Sequence, residues 1–505
     1  MLSALWHRNI FLFGLIGLAA GMLFGTVPTS IPQIILVVNW LLEKDFLRKW
    51  KQLKSNKIFW ILACLFFLHI FGMLYTENTQ RGLADLRNKI PLILLPLIFF
   101  STKPLNKQEF RLLFGFFFVS VFVSSICCYL VYAGYTKKTI IDVRKSSIFM
   151  SHIRFSLFIA LAIIGLLYTS IKEKNILTKT ICFITTVWLL FFMYKLEMAT
   201  GFMSLIIVGG FLLIVFSFKW FPKKVSLSLI IIIIGATVYI TSKAINSLKM
   251  FNKLPNHSSN ILLSKTKNGR YYMQDTVFEM AENGNLITIN INEEELRREW
   301  NKKSALNFNG VDKKGNSLTF TILRYLASKG FTKDSVGVAS LTKIDITEIE
   351  NGSTNYKLGE NPSGHSVTMR FEFWKISTFI IYQNSIFGVG TGDIQDSFNI
   401  MYNQTNSKLD AIWRLRCHNQ YLAIGVAFGF FGLVIFLIYL IYPAFKLRKT
   451  LHYLYWPFFL IALLSFVTED TLETQSGVTF FIFFQTLFLW LASFKETSLI
   501  KNPTE

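Results

Sequence analysis

Three short windows of the sequence hold residue types that can handle a phosphorylated substrate. Arg370, Glu372 and Trp374 fall in "SVTMRFEFWKISTFIIY", Arg414, Arg416 and His418 in "WRLRCHNQYL", and His152 and Arg154 in "FMSHIRFSLFIALAIIGL". A guanidinium grips phosphate oxygens through a planar fork and offsets the charge of a leaving group. A histidine near neutrality takes the proton of an attacking hydroxyl. Arginines near His418 are expected to lower its pKa and keep the imidazole neutral. Asn419 follows at the head of an apolar run. The run "GVGTGD", with Gly388, Gly390 and Gly392, resembles a nucleotide loop only superficially, because no strand–helix frame surrounds it. It reads as a turn by which the chain enters the membrane. Glu469, Asp470 and Glu473 read as an acidic loop, or more sharply as a magnesium or calcium site.

The elements that must position these groups are membrane helices. The chain is 52% hydrophobic with 51 Phe, and long apolar runs recur along most of its 505 residues. About twelve spans are expected, near 10–27, 30–42, 57–75, 89–101, 110–133, 152–169, 179–196, 200–218, 225–241, 419–442, 454–468 and 477–494. The second and fourth are short. The net charge of +22 reads as loop lysine and arginine that hold topology, so nucleic acid is not an expected partner. The basic loops at the N-terminus and after the even-numbered spans place both termini in the cytoplasm. The five cysteines form no CxxC pair and read as small hydrophobes. Residues 1–241 are expected to hold spans one to nine. Residues 242–417 form one large outer loop domain of mixed α/β character that carries Arg370 and "GVGTGD", and 418–505 hold the last three spans. In that loop "NLITININ" and "SLTFTI" alternate like strands, and "NEEELRREW" starts a helix with Asn292 as N-cap and Glu295 at the capping-box position. The basic loop 135–147, "YTKKTIIDVRKSS", also falls outside, where a polyanionic substrate would explain it.

All of the notable polar groups then map to one membrane face. A transporter would place them at the bilayer midplane instead, and a scaffold leaves the Arg370–His418 pairing unexplained. A lipid-linked pyrophosphate sugar donor needs both arginines and a neutral histidine at that face. It needs no cofactor, because the activated bond is already in the donor.

At these residues the sequence resembles the O-antigen ligase-related superfamily of GT-C-like membrane glycosyltransferases. The resemblance rests on "RFEFWKISTFIIYQNSIFGVGTGD" followed by "HNQYLAIGVAFGFFGLVIFLIYL", with "LYTENTQRGLADLRNKIPLILLPLIF" and "TEDTLETQSGVTFFIFF" in support. It implies a donor glycan on undecaprenyl pyrophosphate and a lipid A-core or other glycan acceptor. It also implies an inverting, metal-independent transfer in lipopolysaccharide biosynthesis at the bacterial inner membrane, with the active site facing the periplasm. By the same resemblance Arg370 contacts the pyrophosphate and His418 is the base. The family's Ser-Arg-x-Gly motif reads "EMATG" here, with Ala199 in the arginine's place. Arg154, or after it Arg416, Arg144 or Lys145, would supply that charge. An O-antigen ligase is the leading reading. A polymerase using the same donor and a protein O-oligosaccharyltransferase are the alternatives within the family.

Overall fold

The computed structural model describes residues 4–136, 143–220, 222, 225, 228, 261–275, 281–282, 285–313, 315–351, 366–407, 409 and 411–501. They fall into two compact units. One comprises Met1–Val215, Arg370–Ser407 and Arg414–Glu505, the other Phe216–Met369 and Lys408–Trp413. Residues 370–407, grouped above with the outer loop, thus cluster with the helices that flank it.

The first unit opens with α1 (Ala4–Gly21), α2 (Thr26–Leu42), α3 (Phe46–Ser55), α4 (Lys57–Gly72), α5 (Thr79–Lys89) and α6 (Pro91–Phe100). It continues with α7 (Lys107–Tyr132), α8 (His152–Lys172), α9 (Ile176–Lys195) and α10 (Ala199–Trp220). Side-chain caps set several starts. Asn56 accepts from the N–H groups of Ile58 and Phe59, Asn106 and Glu109 close a capping box, and Pro91 opens α6 at a position that needs no donor.

In the second unit α11 (Glu293–Lys303), α12 (Leu318–Lys329), α13 (Ser335–Ala339) and α14 (Lys343–Glu350) enclose a core of Leu296, Trp300, Phe308, Ile322, Leu326 and Ile349. Asn292 caps α11 as expected, accepting from Glu295 N–H at 3.1 Å. The Glu295 carboxylate, however, turns to the hydroxyls of Thr266 and Ser335. The strand expectation needs correction. Of "NLITININ" only Asn285–Leu286 pairs in a ladder, with Ala281–Glu282, and Ile291 makes isolated bridges. "SLTFTI" is the start of α12, because Ser317 caps it and Leu318, Ile322, Tyr325 and Leu326 line one buried helical face.

The chain returns to the first unit at Arg370, within α15 (Ser366–Gln383), and continues as α16 (Ile394–Gln404), α17 (Gln420–Lys446), α18 (Tyr455–Thr468) and α19 (Gln475–Lys501). Among the described residues eight helices are long and apolar enough to cross a membrane: α1, α4 with its terminal turn, α7, α8, α9, α10, α17 and α19. Two expected spans are the shorter apolar helices α2 and α18. The expected span 89–101 is α6, whose ten residues reach only about 15 Å and cannot cross a bilayer alone. The span at 225–241 lies outside the described residues apart from 225 and 228. Burial orders the rest. In α19 Phe480, Phe481, Phe483, Phe484, Phe488 and Trp490 are all buried, whereas α9 and α10 expose Phe183, Ile184, Ile206 and Leu213. Helices apolar on their exposed faces suit lipid, and the phenylalanine-rich α19 is the inner post of the bundle.

One break in that bundle shapes the site. Helix α17 leaves helical geometry at Gly429, with φ 60° and ψ −154°. The carbonyls thereby freed, Val426 and Ala427, accept instead from Val389 N–H at 3.0 Å and Gly390 N–H at 2.9 Å. The freed N–H groups of Phe430 and Phe431 donate to the carbonyls of Ser385 and Ile386 at 2.8 and 3.2 Å. The glycine loop after α15 therefore plugs the gap in α17. At Gly388 (φ 70°) a Cβ would lie 2.4 Å from the Ala427 backbone, so a side chain has no room there.

Candidate active site

His418 stands where the chain enters α17, and the residues on either side fix it. Buried Cys417 precedes it. Asn419 caps the helix by accepting from Leu422 N–H at 3.0 Å, and its amide donates to the Val467 carbonyl at 3.1 Å. Between them His418 has a left-handed backbone, φ 44°. That conformation is uncommon for a residue with a side chain and recurs at functional sites. The imidazole lies 5.6 Å, ring centre to ring centre, from Phe373 of α15.

The loop from α18 to α19 faces it. His418 Nδ1 is 3.6 Å from a carboxylate oxygen of Glu469 and 3.6 Å from one of Asp470. This is ion-pair range but too long for a hydrogen bond, so Nδ1 is buried without a hydrogen-bond partner. The expectation of a neutral imidazole is reversed here. Burial works against its charge, but Asp470 and Glu469 outweigh burial and push the pKa up to about 9. The residues nearest His418 in sequence are arginines, whereas the groups nearest it in space are carboxylates about fifty residues further along the chain.

Arg370 joins the same group. Its Nε donates to the Thr468 carbonyl at 3.2 Å, and a terminal nitrogen donates to Glu469 at 3.1 Å. Trp374, one turn further along α15, packs edge-on against Phe371, and its indole N–H is buried without a hydrogen-bond partner. Donor atoms of His418, Glu469 and Asp470 all lie within 4.8 Å of one another, close enough for one cation to bridge. Arg370 and the imidazole already bring positive charge to those carboxylates, and we read the group as an ion-pair cluster.

A second charged cluster adjoins the first, and two of its charged members were not singled out from the sequence. Lys89, at the end of α5, is 1% exposed and donates to Asp85 at 2.6 Å and to Glu473 at 2.9 Å. Arg416 reaches the same Glu473 at 3.5 Å. Gln420 donates to Glu473 at 3.3 Å and accepts from Leu472 N–H at 2.7 Å. Burial opposes every charge here. Against it, Lys89 and Arg416 hold the Glu473 carboxyl well below the usual range, at about 2, and Glu473 and Asp85 hold the Lys89 ammonium above its ordinary value. Asp85 is lifted by burial against the pull of Lys89. The signal for Asp85 and Lys89 was present in "LADLRNKIPLILLPLIF": an acid and a base four apart on a helix, directly ahead of an apolar run.

The other expected site residues lie elsewhere. The N–H groups of Val389, Gly390 and Thr391 are spent on carbonyls and that of Gly392 on the Thr76 hydroxyl, so the loop offers no phosphate cradle. Arg154 begins α8 with its Nε buried and without a hydrogen-bond partner, and no hydrogen bond or ion pair among the described residues joins it to either cluster. Ala199 is the first residue of α10.

Residues 336–437 match the family model described as O-antigen ligase. The matched stretch contains Arg370, Trp374, the glycine loop, Arg416, His418 and Asn419, and bears out the family resemblance. No curated protein matches the chain.

Proposed function

The chain carries an O-antigen ligase-related segment, and from that premise we propose that it is an O-antigen ligase: an inverting, metal-independent membrane glycosyltransferase that moves a glycan from undecaprenyl pyrophosphate to a hydroxyl of a lipid A-core acceptor. The observation that carries this reading is the placement of His418 between two carboxylates, beside an arginine of α15. Nδ1 faces the carboxylates, which leaves Nε2 for the acceptor. As the acceptor oxygen attacks the anomeric carbon, Nε2 takes its proton and the bond from that carbon to the pyrophosphate oxygen breaks. Glu469 and Asp470 stabilise the imidazolium as it forms, as a carboxylate does in a hydrolase triad. Arg370 and Arg416 offset the charge of the departing pyrophosphate. The phosphate competes with Glu469 for the Arg370 fork, so donor binding frees that carboxylate to close on His418.

A pKa near 9 leaves about 1% of the imidazole neutral at pH 7. That fraction favours a second reading, in which the imidazolium serves the leaving pyrophosphate and Asp470 takes the proton. The two differ in pH dependence. With His418 as base, transfer by the purified protein rises with pH toward about 9; with an imidazolium as electrostatic partner, it falls through the same range. A chelator in the assay leaves the rate unchanged if the transfer is metal-independent.

Two further outcomes are expected. Arg370→Lys keeps the charge and loses the fork. Transfer should then fall roughly tenfold to a hundredfold, the worth of a charged bidentate contact, with weaker retention of the lipid donor. Wild-type retention and rate would remove Arg370 from the donor site. For orientation, with both termini cytoplasmic and the active site periplasmic, a cysteine at Lys267 should react with an impermeant maleimide on intact spheroplasts, while one at Lys51 stays protected. The reversed pattern would sink a periplasmic site.

A further inference from the structure

We propose that an open groove beside the glycine loop is a saccharide subsite that holds uncharged, hydroxyl-rich sugar rings of the glycan. Which glycan arrives rests on the transfer reading; the binding does not. The groove has a volume of about 810 Å³, and its walls include Tyr75, Glu77, Asn78, Asp393, Asp396 and Ser397. Small-ligand sites span about 300–1,000 Å³. Carboxylates accept from vicinal hydroxyls, amides and hydroxyls both accept and donate, and a tyrosine ring offers an apolar face to a sugar's C–H surface.

The walls are already fixed. Asp393 accepts from the N–H groups of Glu77 and Asn78 at 2.9 and 2.7 Å. The Asn78 amide donates to Asp396 at 2.8 Å, Arg81 pairs with that same carboxylate, and the Tyr75 hydroxyl donates to the Phe387 carbonyl at 2.6 Å. A phosphate fits poorly here. Three carboxylates line the groove, and the glycine-loop N–H groups beside it are committed to other acceptors. Arg416, which pairs with Glu473 of the second cluster at 3.5 Å, is also close enough to Asp396 for its charge to help lower that carboxyl's pKa. Charge thus sorts the two halves of a lipid-linked glycan: pyrophosphate toward Arg370 and Arg416, neutral rings toward the carboxylate and amide walls.

The test places the photo-cross-linker benzoylphenylalanine at Ser397 or at Ile400 of the full chain, in cells that make the envelope glycan. Exposed Ile344 of α14, on the same expected side of the membrane, serves as the control position. After irradiation and purification, protein carrying the probe at 397 or 400 should bear periodate-stained glycan at least about tenfold above the 344 control. Glycan no higher than the control at both positions overturns the proposal. Ser397→Trp fills the groove and should cut capture at 400 by about tenfold; undiminished capture means that the glycan meets the probe outside the groove, which also overturns it. Repeating the capture with His418→Gln separates this idea from the transfer reading. If that variant transfers normally, the base assignment fails while capture still judges the groove.

Discussion

His418→Gln protein should insert and extract like the wild type, yet transfer glycan about a hundred- to ten-thousandfold more slowly, the usual contribution of a positioned general base. Glutamine can accept and donate a hydrogen bond but cannot take a proton near neutrality. The wild-type rate should climb with pH toward about 9, where the imidazole becomes neutral, and the variant's profile should be flat over that range. Stability moves the opposite way. The folded pKa lies above the ordinary histidine value, so the ion pairs with Glu469 and Asp470 contribute in full below about pH 6.5 and are lost as pH rises through about 9. Wild-type protein should therefore melt at a lower temperature at pH 9.5 than at pH 6, with a smaller difference in His418→Gln. Activity and stability with opposed pH slopes, both dependent on one side chain, would be hard to obtain from a residue that merely ends a helix. A variant that transfers at near the wild-type rate would remove His418 from proton transfer.

The second large effect is expected at Lys89. Replacing it with methionine leaves Asp85 and Glu473 buried without the ammonium between them. Breaking a buried ion pair by removing one partner costs about 3–5 kcal/mol, a sizeable share of the roughly 5–15 kcal/mol that holds a domain folded. Lys89→Met protein should extract in low yield and melt well below the wild type. A triple variant that adds Asp85→Asn and Glu473→Gln removes the uncompensated charges and should recover most of the loss. If Lys89→Met alone melts like the wild type, the cluster does not hold the loop between α18 and α19, and the geometry of Glu469 and Asp470 must rest on Arg370 and Asn419.

Much of this was legible in the residues. Apolar runs announced most helices, and Asn292 announced a start through its capping chemistry. Arg370, Arg416 and His418 stood out as arginines and a histidine where an outer loop meets a span, and the structure sets Arg370 and His418 against Glu469 and Arg416 against Glu473. Three things were not legible, each for its own reason. "SLTFTI" satisfies a two-residue period and a helical one equally in six residues, and only its packing decides. The pairing of Lys89 with Glu473 joins positions 384 apart, and no local pattern encodes it. The His418 environment was misjudged in sign because its neighbours in sequence are cations whereas its neighbours in space are anions.

The plug in α17 also bears on mechanical precision. Arg370 and His418 sit near the ends of two arms, α15 and the first part of α17, fastened to each other where residues 385–390 bond across the break at Gly429. At 1.5 Å per residue each arm is on the order of 20 Å long. A few degrees of independent sway at that length would shift a tip by more than an ångström, enough to misplace a reacting group. Four backbone hydrogen bonds at one pivot oppose such independent sway, so the gap between the Arg370 guanidinium and the His418 imidazole is expected to vary less than two unfastened helices would allow.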